Sequence, residues 1–499
     1  MIDTPTTSST TGLVRRLGLL GLAATGICSM LGASINVVPF MIQRNVPGIG
    51  PYVLPAFLLA AVPAILAAFA YSILASAMPR AGGSYLYASR GLHPYLGFVA
   101  SFSQWFGLSI VIGVIAYVIV PFLRDIALGM EWEPAAVWLD TGWVRVGVAL
   151  LLLWTFVLIN LRGAGIYERT LIPLMFLMFG LGAIVIVAGF LFNQEDFAAG
   201  LLAQGGPAHP PTGEADFSIS TLLAASAVLF SSFIGFDSIA QAGGEAKNPD
   251  RNLPLAIALA ITVVGSFYFL FTAAVYHTVP WSFVAREAMA HDISAPGLLQ
   301  YVLPSGLAVS IVAGAAIALV NDLPAMLLSV SRLMFAWAED GIFPKKIAVV
   351  HPRWHTPHIA LLLSGVMATV GILGSHFAGD FFLGIDIMVT SMMVNFLLMC
   401  ITLITLPHTN PALAQRITVI KNRKVQRILG WSGTVMLIGF LGIHTWKDLR
   451  SEAEAWYFHS TPIWLIVMLL ASLLFVVKWN TLKKQGVDTR QLFSELPPE

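Results

Sequence analysis

Apolar stretches long enough to cross a bilayer recur twelve times along this chain. They lie near residues 17–41, 50–78, 94–122, 143–161, 171–192, 219–243, 254–279, 306–337, 358–376, 381–406, 428–445 and 461–479. Each is long and continuous rather than short and alternating, which predicts membrane-spanning α-helices and argues against an outer-membrane barrel. Two of the twelve are built differently. The first contains "TGICSMLGASINVVPF", Thr25 to Phe40, where two glycines, two serines, an asparagine and a proline gather at mid-depth. The sixth contains Phe230-Ser231-Ser232-Phe233-Ile234-Gly235-Phe236-Asp237-Ser238, again small and polar at mid-depth, with a carboxylate just beyond. Both patterns predict a helix interrupted inside the membrane.

Composition and charge sharpen this picture. Of 499 residues 57% are hydrophobic and 11% charged, against about 25% charged in a soluble domain. A net charge of +1 points to no nucleic-acid partner. With the N-terminus placed in the cytoplasm, 21 of the 27 Lys and Arg residues fall on the cytoplasmic side. That bias predicts cytoplasmic N- and C-termini. The expected location is the plasma (inner) membrane, in contact with membrane lipid, and the sequence leaves the oligomeric state open. The expected organisation is a tail over 1–16, a ten-span core over 17–406, a basic linker over 407–427, two further spans over 428–479 and a tail over 480–499. The first apolar stretch is too long for a signal peptide, Met1 to Gly12 is uncharged except for Asp3, and no small-residue cleavage pattern lies nearby, so it reads as a retained span. The run from Arg416 to Arg427 obeys the positive-inside rule, with a lipid-headgroup patch as the alternative. The Gly-, Pro- and Ala-rich loop from Asn193 to Ser218 reads as irregular. Cys28 and Cys400 both fall inside apolar spans, which argues against a disulfide framework.

Interrupted first and sixth spans are the first members of two blocks of five, and such a pairing is the best sequence pointer to a transport site. In hydrocarbon, broken backbone is tolerated only where it lines a cavity or is buried in protein. A half-helix then offers free N–H groups at one end, suited to a carboxylate, and free carbonyls at the other, suited to a cation or ammonium. Gly32, Ala33 and Ser34, with Ser232 to Gly235, would supply them. Close helix packing through small residues is the competing explanation.

On four motifs in order, the chain resembles the amino acid–polyamine–organocation family of permeases, from about Gly18 to Leu406. "GICSMLGASINVVP" is similar to its first-span glycine motif. "MPRAGGSYLYASRGLHPYLGFVASFSQW" is similar to the loop between spans two and three. "FSSFIGFDSIAQAGGEAKNPDRNLPLAI" resembles the sixth span and the loop after it, and "SVSRLMFAWAEDGIFP" the end of the eighth. The resemblance implies an all-α, LeuT-like fold with spans 1–5 and 6–10 as an inverted repeat, two C-terminal helices, and no organic cofactor. It implies alternating-access transport of an amino acid or related amine, bound between spans 1, 3, 6, 8 and 10. The residues it points to are Cys28, Gly32, Ala33, Ser34, Asn36, Ser231, Ser232, Phe233 and Gly235. Ser34 stands where the family usually has glycine, and Asn36 where it has an aromatic or apolar residue. Ser231 and Ser232 replace bulkier residues, which implies a roomier or more polar pocket.

Asn321 and Asp322 lie inside the eighth span, and a carboxylate at that depth costs at least about 2.5 kcal/mol unless paired or hydrated. In the family's fold small hydroxyl residues there help to hold sodium. The Asn321–Asp322 pair suits a hard cation or a proton, so H+ or Na+ coupling is expected, with a substrate amine or a structural hydrogen bond as alternatives. A lysine that some sodium-independent relatives place in the fifth span is Met178 here. Asp237 reads equally as a gate or proton-linked switch, and so as a second candidate for ion or proton coupling, or as a cap on the following half-helix; Asp386 reads more simply as a residue near the headgroups. Arg80, Lys247 and Arg332 resemble an inner gate, the last grouped with Glu339 and Asp340; topology alone would also place charge there. His351, His355 and His358 sit in a proline-broken loop, a poor zinc site. No metal site and no catalytic set is expected, so the chain reads as a transporter rather than an enzyme. A sensor on the same fold is the alternative.

Overall fold

The computed structural model describes residues 12–205, 216–290, 293–378, 381–451 and 456–497, with the side chains of residues 33, 34, 305, 308, 378, 381, 382 and 458 outside that description. Among the described residues, eleven helices are long and apolar enough to cross a membrane, and there is no strand. The first span lies in three shorter pieces, Leu19–Met30, Ala33–Asn36 and Val38–Asn45. The chain is therefore an all-helical, multi-pass integral membrane protein. The unbroken spans follow the apolar stretches closely: Val53–Ala77, Pro94–Gly129, Gly142–Leu161, Ala164–Leu191, Pro249–Thr278, Ser305–Glu339, His358–Ala378, Phe381–Thr409, Arg423–Arg450 and Ser460–Lys484. The sixth runs as Ile219–Leu229, a tight turn over Phe230–Phe233, and a short helix Ser238–Gln241.

The interruptions have local causes. Pro39 has no N–H to return to the preceding turn, and Val37 before it leaves helical geometry at φ −125° and ψ −55°. In the sixth span Ile234 is extended and Gly235 sits at φ +134°, a conformation open to glycine. Elsewhere small residues bring helices together: a Cβ on Gly113 would collide with the backbone of the ninth span at Ala368 and Gly371.

The eighth span has 35 residues, about 52 Å at 1.5 Å per residue, against a hydrocarbon core of ~30 Å. Its last turns carry Arg332 and Glu339. Around them lie the two described ends of the chain. Leu17 pairs with Glu245 and Lys247, and Arg80 donates to the Pro497 carbonyl. Leu17 and Pro497, near the two described ends, therefore lie on one face.

The segment after the fifth span differs from expectation. Gln194–Ala203 is a helix, started by Asn193, whose side chain accepts from the Glu195 and Asp196 N–H groups while Asp196 accepts from Asn193. This capping box outweighs the loop-like composition. Phe197 anchors the helix against Phe283 and Tyr301, at ring distances of 4.9 and 5.4 Å. The rest of the expected irregular loop, 206–215, lies outside the described residues, as do residues 1–11 of the N-terminal tail.

Candidate functional site

The two interruptions meet. Gly235 packs on the Ser29 carbonyl so closely that a Cβ there has no room. The Ser29 and Ser238 hydroxyls are 3.1 Å apart, and Tyr268 Oη donates to the Met30 carbonyl at 2.7 Å. That carbonyl belongs to the last turn of the first half-helix, where helical donors run out. Beside this junction is a small cavity. Spans one and six contribute Ser29, Met30, Ser231 and Ile234. Spans three, eight and ten contribute Val111, Val114 and Ile115, Asp322 and Met326, and Ile385 and Met388. The open volume is about 20 Å³, room for roughly one water.

Several residues singled out from sequence take other places. Cys28 does not line the cavity; its buried thiol takes a hydrogen bond from Asn321 Nδ2 at 2.9 Å, tying span one to span eight. Asn36 faces a separate small cavity with Met178, between spans one, five, seven and eight. Phe233 turns away and packs on Phe57 of the second span, 4.9 Å between rings. Ser232 is buried outside the cavity lining. The Ala33 and Ser34 side chains lie outside the described residues. Gly32 is at the break itself, and a Cβ at that position would overlap the Asp322 carboxylate. Asp322 is 2% exposed and faces both this glycine and the cavity.

Asp237 is fully buried and does not cap the helix that follows it. Oδ1 accepts from the Gly235 N–H at 3.1 Å, and Oδ2 accepts from Gln104 Nε2. Gln104 Oε1 in turn accepts from Ser84 at 2.5 Å, and from Gln241 and Asn395 at 3.2 Å each. Asn395 also donates to Tyr71 Oη at 2.6 Å. One polar network therefore joins spans two, three, six and ten directly behind the second break. None of Gln104, Gln241, Asn395 or Tyr71 was singled out from sequence, although an amide inside an apolar span is itself a signal.

The face bearing the chain ends is held by two buried ion pairs. Arg332 donates to both Glu245 oxygens, at 3.1 and 2.6 Å. Arg90 donates to both Asp340 oxygens, at 2.5 and 2.8 Å. The expected grouping of Arg332 with Glu339 and Asp340 is thus replaced by these partners from the loops after spans six and two. Lys247 is exposed and has no ion pair among the described residues. Arg80 reaches the C-terminal segment through Pro497. Backbone bridges Leu17–Ala246 and Ala81–Ala242 complete the closure. His351 stacks on Trp354 and accepts from the Arg353 and Trp354 N–H groups, closing its loop. Asp386 gives its carbonyl to His444 at 3.3 Å.

Comparison with known proteins gives a consistent result. The family described as amino acid permease matches residues 17–477. Cationic amino acid transporter 4 of Mus musculus is 30% identical over 384 residues, 73% of this chain and 56% of its own. The low-affinity putrescine importer PlaP of Escherichia coli K12 is 25% identical over 398 residues, 79% of each. The methylthioribose transporter of Bacillus subtilis 168 is 26% identical over 372 residues, 74% of this chain and 76% of its own. The chain spans little more than half the length of the cationic amino acid transporters it matches.

Proposed function

This chain belongs to the amino acid permease family, and on that premise we propose that it is a secondary transporter of an amino acid or related amine. The observation that carries the proposal is the meeting of two interrupted spans at one small, partly polar cavity beneath a salt-bridged face. Broken backbone in a membrane needs a cavity or protein to satisfy it, and here both breaks share one. In alternating access the walls part on one side at a time. The Arg332–Glu245 and Arg90–Asp340 pairs hold the end-bearing face shut, so they must release before ligand can leave by that face.

That face is the cytoplasmic one, and the membrane the plasma (inner) membrane. The Lys and Arg bias of 21 to 6 supports the orientation, as does the position of both described chain ends on the same face. Coupling is to H+ or Na+, or transport runs by exchange.

The test is uptake by the purified protein in liposomes. Labelled amino acids and amines are offered with and without a loaded interior, under imposed proton or sodium gradients. Saturable uptake of one class is the expected result, and its ion dependence identifies the coupling. Absence of uptake for every member of the panel overturns the proposal.

A further inference from the structure

Among the described residues, the central cavity carries one ionisable side chain, Asp322, and no basic one lines it. The other polar side chains described there are the hydroxyls of Ser29 and Ser231, and the remaining described lining is hydrocarbon and thioether. The Asp322 carboxyl lies directly against Gly32, so the first-span break is covered by an acidic side chain that belongs to the protein. Ser231 is 3% exposed, lines the same cavity, and its Oγ has no hydrogen-bond partner among the described residues.

A ligand carboxylate entering at the break would meet the Asp322 carboxylate at contact distance in a medium of low dielectric, where like charges repel strongly. An ammonium there gains a charge-assisted hydrogen bond instead, and the Ser231 hydroxyl is placed to accept a second. A diamine needs another anion. Asp237, the carboxylate of the second break, does not line the cavity and already accepts from Gln104 and Gly235. The rest of the wall is apolar, and Met30, Met326 and Met388 are unbranched and can repack around a ligand.

Resting on the permease reading above, we infer that this site takes a primary monoamine with an apolar body and no carboxylate, held by its ammonium on Asp322 and Ser231. The ligand class is the decarboxylated counterpart of an apolar amino acid. The cavity of about 20 Å³ is the closed state of that site, and binding must spread its walls.

The test uses the full chain, purified and reconstituted. Thermal stabilisation and counterflow are measured with 3-methylbutylamine against leucine, and with phenethylamine against phenylalanine. Each amine is expected to half-saturate at a concentration at least ~10-fold below its parent amino acid, a difference of about 1.4 kcal/mol. In Asp322→Asn that preference should fall to roughly threefold or less, since only the charge is lost. If Asp322→Asn does not fold, the wild-type ratio and Ser231→Ala decide, the latter weakening amine but not amino acid binding. Amino acids binding as tightly as amines overturns the inference and leaves the permease reading standing. So does an amine preference that Asp322→Asn and Ser231→Ala both leave intact. If no amino acid or amine binds or is taken up, the inference and the permease reading fall together.

Discussion

Gly235 shows how much of this site is set by single atoms. It occupies φ +134°, and a Cβ would strike the Ser29 carbonyl. Gly235→Ala therefore meets both backbone strain and a collision, and is expected to lower stability by about 1–3 kcal/mol. It should also abolish uptake, because the two breaks no longer seat on each other. Gly147 is the control: it is helical, with open space around it, and Gly147→Ala should stabilise by about 0.5–1 kcal/mol. Thermal melts of the two variants in the same detergent check the contrast; equal shifts would refute it. Gln104 is the second such residue. Its amide serves Asp237, Ser84, Gln241 and Asn395 at once. Gln104→Leu leaves buried polar groups without partners, at about 1–3 kcal/mol each before relaxation. The expected outcome is a larger drop in melting temperature than for Gln104→Asn, which keeps an amide donor and acceptor. A smaller drop for the leucine variant would show that the network does not stabilise the fold.

At the scale of elements, the reading from sequence succeeded where hydrophobic length decides. The spans were legible because a helix must bury its backbone in lipid, and about 20 apolar residues are needed to do so. The interruptions were legible too, because small and polar residues gather at mid-depth in both spans; a single glycine or proline is not enough, since Gly147 and Pro121 lie inside unbroken helices. The helix Gln194–Ala203 is set by its capping residues, Asn193 and Asp196, against a Gly-, Pro- and Ala-rich composition that reads as loop. What no local pattern carries is the partner of a side chain across long sequence distance. Asp322 was conspicuous in an apolar span, yet its approach to Gly32 follows only from how spans one and eight pack. Arg332 likewise pairs with Glu245, 87 residues away, and not with the acids that follow it on its own helix. That pair is 2% and 1% exposed, so removing one partner strands a buried charge. Arg332→Ala is expected to cost about 3–5 kcal/mol, whereas Arg332→Met combined with Glu245→Leu should regain most of it. The double variant should keep its melting temperature yet lose the charged lock. Cysteine-labelling of the face beneath it would then rise. A double variant as unstable as the single one would show that packing, not charge, holds this contact.

For the whole molecule, the C-terminal segment is the piece that joins otherwise separate parts of the closed face. Arg90 is 2% exposed and donates to the Glu495 and Leu492 carbonyls as well as to Asp340, with the Phe493 ring 5.0 Å from its guanidinium. Arg80 reaches Pro497, and Asn410 at the end of the tenth span donates to the Ser494 carbonyl at 2.8 Å. One short segment thereby fastens the loop after span two, the end of span eight and the end of span ten. Opening of this face has to break those bonds together. The Arg90–Asp340 pair would also be wetted, and an exposed pair is worth only about 0–1 kcal/mol. Deleting residues 488–499 is therefore expected to bias the protein toward the state open on that face. Backbone hydrogen exchange is the direct measurement. The helix Gly83–Gly91, which carries Arg90, should lose protection, while the Pro94–Gly129 span behind it keeps most of its own. Because the deletion removes a latch and leaves the cavity walls untouched, counterflow should continue, and faster if release of this face limits the cycle. Unchanged protection in Gly83–Gly91 would mean that the two ion pairs hold the face alone, with the C-terminal segment resting on it.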